Sequence, residues 1–250
     1  MSFTKAVVVA CALFLFGCGG GGGGGGGGGP APATNLAGTW SGQLEDPVLG
    51  MHTVQVTVDA TGKMTQLKQD GIVVIGGNGL PLTGNIVVAG TNLYSFTLSD
   101  GTKGGFFADA SATHVAFLDE DTNIGVLQKG ATLPLPAFAA ADVVGSWTGY
   151  NVDLDVNFNI TNSFASSVTV NNDGTRTFSG TDAVSGAFSG NLGGTVDTAF
   201  GRWTGPFTQG AVAGVVHVFL SSDKLYAGTW NCPNAAVDFI ADCTFSAWHK

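Results

Sequence analysis

From Asn35 onward apolar and polar side chains alternate with a period of two, the spacing that sends successive residues to opposite faces of a strand. His52-Thr53-Val54-Gln55-Val56-Thr57-Val58-Asp59 and Ser167-Val168-Thr169-Val170-Asn171 show it, and Asn151 to Ile160 shows it most regularly. In that last run Val152, Leu154, Val156, Phe158 and Ile160 make one face, which is expected to be buried. Asn151, Asp153, Asp155, Asn157 and Asn159 make the other, which is expected to meet water. Turn residues interrupt the runs at short intervals: Asp70-Gly71, Asn78-Gly79, Asp100-Gly101 and Asn172-Asp173-Gly174 tolerate the positive φ that tight hairpins need. No amphipathic helix of useful length is visible. Closely spaced strands without helical crossovers predict an all-β fold, an antiparallel meander forming a barrel or a sandwich.

The pattern occurs twice. Leu36-Ala37-Gly38-Thr39-Trp40-Ser41-Gly42 returns as Val143-Val144-Gly145-Ser146-Trp147-Thr148-Gly149. Val56-Thr57-Val58 with Gly62 returns as Val168-Thr169-Val170 with Gly174, at a larger offset, so the later copy carries a short insertion. A third match is read between Val115-Ala116-Phe117-Leu118 and His217-Val218-Phe219-Leu220. Order is kept across all three, which predicts two tandem small antiparallel β domains, Asn35–Leu133 and Ala140–Lys250, joined by a Pro134–Ala139 linker. Gly-aromatic strands recur at Gly201-Arg202-Trp203, Gly228-Thr229-Trp230, Phe178-Ser179-Gly180 and Phe188-Ser189-Gly190, where a glycine allows close backbone approach beside a large ring.

At Gly38-Thr39-Trp40 and Gly145-Ser146-Trp147 the chain resembles the opening strand of calycin-type barrels, the lipocalins and avidins, which carry Gly-x-Trp there. The resemblance implies a barrel in each copy with the tryptophan at its closed end. Each copy is shorter than a lipocalin and has none of that family's other motifs. The N-terminus carries a second likeness. Lys5 and the apolar run Ala6 to Phe16 read as an export signal, too short for the ~20 residues of a membrane-spanning helix. Leu15-Phe16-Gly17-Cys18 resembles the bacterial lipobox, departing from it at Phe16, where a smaller residue is usual. That resemblance implies a signal peptide over residues 1–17, acylation of Cys18, and, with Gly19 in place of Asp, delivery to the outer membrane of the cell envelope. Residues 18–34, an unbroken glycine tract and Pro30-Ala31-Pro32-Ala33-Thr34, cannot bury apolar area and predict a disordered tether with a reach of roughly 20 to 24 Å. A Gly-rich tether before a β domain is also similar to surface lipoproteins such as the factor-H-binding and transferrin-binding proteins.

Charge narrows the partners. The chain carries 9 Lys+Arg against 18 Asp+Glu, and loss of Lys5 with the signal makes it more acidic still. Nucleic acid is excluded as a partner on this ground, and an acidic bilayer would repel the domains, leaving the lipid as the membrane attachment. Only 11% of residues are charged, against ~25% in an average domain, so Thr, Ser, Asn and Gly must supply the wet surface. Cys11 leaves with the signal and Cys18 takes the lipid, so Cys232 and Cys243 are expected to pair as a disulfide in an oxidising compartment.

No catalytic, metal or cofactor set is recognisable. His52, His114, His217 and His249 lie in no known motif, and there is no Gly-x-Ser-x-Gly elbow. Asp119-Glu120-Asp121 and the pair Asp153, Asp155 lack the spacing of a calcium loop and are expected to be a hairpin turn and a solvated strand face. Trp40, Trp147, Trp203 and Trp230 are candidates for stacking on a ligand or for core packing. The expected function is a non-enzymatic binding or interaction module at the envelope, its partner a small apolar molecule, a glycan or an envelope protein. The alternatives are a structural or protective lipoprotein without a ligand and a hydrolase of unrecognised type. A cavity beneath Trp40 or Trp147 would favour the small molecule, and filled barrels would favour surface recognition.

Overall fold

The computed structural model describes residues 31–32, 34–81, 83–86, 92–97, 101–155, 160–184, 186–234 and 243–250. The expected signal peptide, Cys18 and most of the expected tether lie outside these residues, as do positions 156–159 of the most regular alternating run. The described residues form an all-β chain of two antiparallel sheet domains. The first contains β1 (Ala31–Pro32), β2 (Gly38–Asp46), β3 (Gly50–Val58), β4 (Lys63–Gln69), β5 (Ile72–Pro81), β6 (Thr83–Ile86), β7 (Asn92–Thr97), β8 (Lys103–Ala108), β9 (His114–Asp119) and β10 (Ile124–Lys129). The second contains β11 (Gly145–Leu154), β12 (Ile160–Val170), β13 (Thr177–Asp182), β14 (Gly186–Asn191), β15 (Thr195–Asp197), β16 (Arg202–Gln209), β17 (Val212–Leu220), β18 (Tyr226–Pro233) and β19 (Thr244–His249).

Both domains are built to one plan. In each, the last strand returns to pair with the first long strand, β10 with β2 and β19 with β11. The Gly-x-Trp strands are superposable in detail. Trp40 Nε1 donates to Leu36 O at 2.7 Å and Trp147 Nε1 to Val143 O at 2.9 Å. The preceding glycines have φ of 134° at Gly38 and 133° at Gly145, and the final lysine of each sheet lies over the indole, Lys129 at 5.5 Å and Lys250 at 5.3 Å from the ring centre.

Closure differs between the copies. In the second, β14 pairs with β16 through Phe188, Ser189 and Gly190 opposite Gln209, Thr208 and Phe207, and the sheet becomes a closed eight-stranded barrel with β15 added beside β16. Gly190 permits that seam, because a Cβ there would fall 2.1 Å from Pro206 O. The first domain is a curled half-barrel. Its corresponding strands, β5 and β7, form no ladder among the described residues.

The sheet order corrects two of the matches read from sequence. Asp109 N bonds His114 O and Ala112 N bonds Asp109 O; in the other copy Ser221 N bonds Tyr226 O and Lys224 N bonds Ser221 O. These turns equate β8 with β17 and β9 with β18, so Val115–Leu118 on β9 does not correspond to His217–Leu220 on β17. The counterpart of Gly62 is Arg176 and not Gly174. Gly62 N bonds Asp59 O and Arg176 N bonds Asp173 O, each at 3.0 Å, and both residues have positive φ.

A third core joins the two domains. Phe107, Ala116, Leu118, Ile124 and Val126 project from the outside of the half-barrel and pack against Val152, Leu154, Phe219, Tyr226, Trp230, Phe245 and Ala247 from the outside of the barrel. The expectation that Val152 and Leu154 are buried holds, but what buries them is the neighbouring domain. Their strand is therefore turned over relative to the expectation: Asn151, placed in water by the alternation, is inside the barrel and 4% exposed.

Candidate functional site

Trp147, Val170, Phe178, Trp203, Val218 and Leu220 belong to the core cluster inside the barrel. Alongside part of that packing runs a cavity of about 190 Å³. Its apolar wall includes Phe164, Val168, Phe188, Phe207 and Val216, with Trp147 and Trp248 also facing it. Asn151, Asp182, Gln209, Asn231 and Thr244 supply polar groups.

These polar groups come from neighbouring strands. Trp248 Nε1 donates to Ser166 Oγ at 2.7 Å, Ser166 Oγ donates to Asn151 Oδ1 at 3.0 Å, and Ser246 Oγ donates to the same oxygen at 2.7 Å. An indole nitrogen can only donate, so Ser166 accepts from Trp248, and an amide oxygen can only accept, so both serines give their protons to Asn151 Oδ1. The Asn151 amide is thereby oriented, its oxygen turned to the two serines. Asp182 stands opposite Ser166 across the β12–β13 ladder. It accepts from Gln209 Nε2 at 2.6 Å and from the backbone N–H of Val184 at 2.9 Å. The result is a belt of oriented polar groups around part of an otherwise apolar chamber.

The four tryptophans singled out from the sequence are divided by the fold. Trp147 faces the cavity. Trp40 packs inside the half-barrel, where the residual space beneath it is only about 10 Å³. Trp203 is enclosed in the barrel core and donates to Ala140 O at 3.2 Å, while Trp230 points away from the barrel into the core between domains. Cys232 and Cys243 form a disulfide that ties β18 to the residue preceding β19. Pro233 and Thr244, the residues beside them, line the cavity. Alternation placed Asn151 on a wet face, and Ser166, Asp182, Gln209 and Ser246 carry no motif. A usable signal was nearby: Val215 to Leu220 has few polar residues on either face, as strands buried on both sides do.

A second chamber of about 140 Å³ lies in the half-barrel, lined in part by Leu44, Val54, Val56, Leu67, Phe117 and Asp119. Asp119 belongs to the expected hairpin turn, but it is buried rather than solvated. Burial raises its pKa to about 6, against the opposing hydrogen bonds from Asn123. Asp153 accepts from Thr244 Oγ1 at 3.2 Å.

Two of the strand histidines sit between the domains. His114 Nε2 meets Asp223 Oδ2 at 2.9 Å across the boundary, and its Nδ1 meets Asp109 Oδ2 at 3.3 Å within its own domain. Burial opposes charging of His114, but its hydrogen bonds to Asp109 and Asp223, together with their charge, outweigh it and its pKa is raised. Ser221 Oγ donates to Asp223 at 2.6 Å, so a serine, a histidine and carboxylates are close together. Both imidazole nitrogens are nevertheless committed to carboxylates, which leaves neither positioned to take a proton from that hydroxyl. His217 Nδ1 meets Glu45 Oε2 at 3.1 Å, and Arg202 Nε donates to the same oxygen at 3.0 Å, again across the boundary. His52 bonds Asp70 at 2.7 Å at the far side of the half-barrel. No group of three or more His, Cys, Asp or Glu side chains among the described residues is arranged to hold a metal ion. No helix among them is long and apolar enough to cross a membrane.

No protein family matches the chain, and no curated protein does. Among solved structures it is similar to the crystal structure of a protein of unknown function from the DUF3598 family of Nostoc punctiforme. The two share 11% identity with a TM-score of 0.37, over 87% of this chain and 97% of that one, a likeness that carries nothing about site or chemistry.

Proposed function

We propose that this chain is a bacterial envelope lipoprotein that takes up a small apolar molecule, without transforming it, inside its C-terminal barrel. The observation that carries this reading is the cavity beside Trp147, about 190 Å³ with largely apolar walls and a few convergent polar groups. An engineered apolar cavity of about 150 Å³ is enough to hold benzene, so this one suits a single-ring molecule better than a long-chain lipid. Attachment to the envelope rests on Leu15, Gly17 and Cys18, and on the glycine tract that would hold the domains off the headgroups.

Two experiments test the reading. Calorimetric titration with toluene or ethylbenzene is expected to show saturable binding that Val216→Trp removes by filling the chamber. Failure of every such probe to bind would leave a lipoprotein with a structural role. Cys18→Ser is expected to release the protein from membranes and to abolish palmitate labelling, and unchanged retention would end the anchoring claim.

A further inference from the structure

We infer that the molecule held in the barrel is neutral and carries a hydrogen-bond acceptor, such as a carbonyl or ether oxygen on a ring-sized apolar body, which receives its hydrogen bond from the Asn151 amide. This inference rests on the small-molecule reading above and adds the ligand's chemistry to it.

The argument is an accounting of donors. Asn151 is 4% exposed and lines the cavity. Its oxygen already accepts from Ser166 and Ser246, which leaves its amide nitrogen turned away from the two serines. Among the described residues no group accepts from its amide nitrogen, so two N–H donors are held in place beside an apolar chamber. These donors face the cavity, and a ligand oxygen accepting from them would add a net hydrogen bond of about 1 kcal/mol to the burial of its apolar body.

The same wall disfavours charge of either sign. Among the described residues that line the cavity there is no Lys, Arg or His, whereas Asp182 is one of them. A carboxylate ligand would enter a largely apolar chamber that holds an acidic side chain and, among its described lining residues, no cation. A cationic ligand would have to share Asp182 oxygens that already accept from Gln209 and from the Val184 backbone. Toward Asn151 it would present a further donor to a donor. An uncharged acceptor satisfies the amide and asks nothing of Asp182.

The test uses the full mature chain, produced without its acyl group, and three probes of nearly equal size: acetophenone, ethylbenzene and benzoate. Acetophenone is expected to bind roughly tenfold more tightly than ethylbenzene, the ratio one net hydrogen bond supplies, and benzoate to bind least. Asn151→Leu is expected to bring acetophenone down to the level of ethylbenzene. Because that variant strips two serines of their acceptor and can impair folding, the unsubstituted protein provides an independent readout. The carbonyl stretch of bound acetophenone is expected at lower frequency than in an apolar solvent. Equal affinities for acetophenone and ethylbenzene, an unshifted carbonyl stretch, or benzoate binding best would each overturn the inference while leaving a binding cavity in place. Failure of all three probes would overturn the cavity reading itself.

Discussion

At Gly149 a Cβ would fall 1.9 Å from Ala247 O and 2.8 Å from Trp248 Cα, and at Gly42 it would fall 1.9 Å from Val126 O. The first long strand of each domain thus lies against the last so closely that no side chain fits between them. Gly149→Ala must displace backbone on both strands. It is expected to cost about 3 kcal/mol in urea unfolding, the upper part of the range for overpacking. Gly174→Ala meets nothing within 4 Å and is expected to change stability by less than about 0.5 kcal/mol. Arg176, with φ of 52°, occupies the left-handed position that Gly62 fills in the first copy. Arg176→Gly is therefore expected to be neutral or mildly stabilising, in spite of the entropy that glycine adds to the unfolded chain, because it relieves about 1 kcal/mol of local strain. The Gly-x-Trp pairs were legible from the letters alone, since the tryptophan marks its glycine. The Gly62 turn was not: a glycine stands two residues before the true equivalent, and only the hydrogen bond from Arg176 N to Asp173 O separates them.

Along single strands, alternation says where the faces are but not which of them is inside. For Val54, Val56 and Val58 the apolar face is the inside of the half-barrel. For β11 it is the outside, because Val152 and Leu154 are covered by the neighbouring domain while Asn151 finds hydroxyl partners within the barrel. A register that looks inverted is stable when both faces have somewhere apolar or hydrogen-bonded to go, and no local pattern reports that. The strands themselves, their antiparallel order and the disulfide were legible, since each depends on neighbours in sequence. The polar belt was not, since Asn151, Ser166, Asp182 and Ser246 meet only after the sheet curls. The Cys232–Cys243 bond spans 11 residues between consecutive strands. Replacing both cysteines by serine is expected to cost about 3 kcal/mol, the loop-closure value for so short a loop. Because Pro233 and Thr244 line the cavity, the same variant is expected to weaken probe binding more than a surface substitution of equal stability cost.

The two domains share an apolar core, in which Phe219, Tyr226, Trp230 and Phe245 form an outer barrel face that would be bare without the half-barrel. Ion pairs border that apolar contact, and their titration predicts how stability depends on pH. Burial raises the pKa values of Glu45, Asp109 and Asp223, but hydrogen bonds and opposite charges outweigh it and all three are lowered on balance. Their contribution is present above ordinary carboxylate values and is lost as pH falls through the lowered ones. His114 is raised, so its contribution is complete below the ordinary histidine value and is lost as pH rises through the raised one. The groups around it are Asp109 and Asp223, with the Tyr226 ring stacked at 5.2 Å and His249 edge-on at 6.4 Å. Burial and the charge of His114 lower the His249 pKa, while Asp109 and Asp223 act to raise it. Asp119, raised to about 6, adds a decline of its own between its ordinary value and pH 6, but it sits away from the boundary. Stability measured by urea unfolding is therefore expected to be highest near the ordinary carboxylate values, at about pH 4 to 4.5, and to fall on both sides. His114→Gln keeps a donor toward one carboxylate and removes the titration. It is expected to flatten the limb above pH 6.5 while leaving the Asp119 decline in place. An alkaline limb of the same depth in His114→Gln would show that the His114 pairs with Asp109 and Asp223 contribute nothing to it.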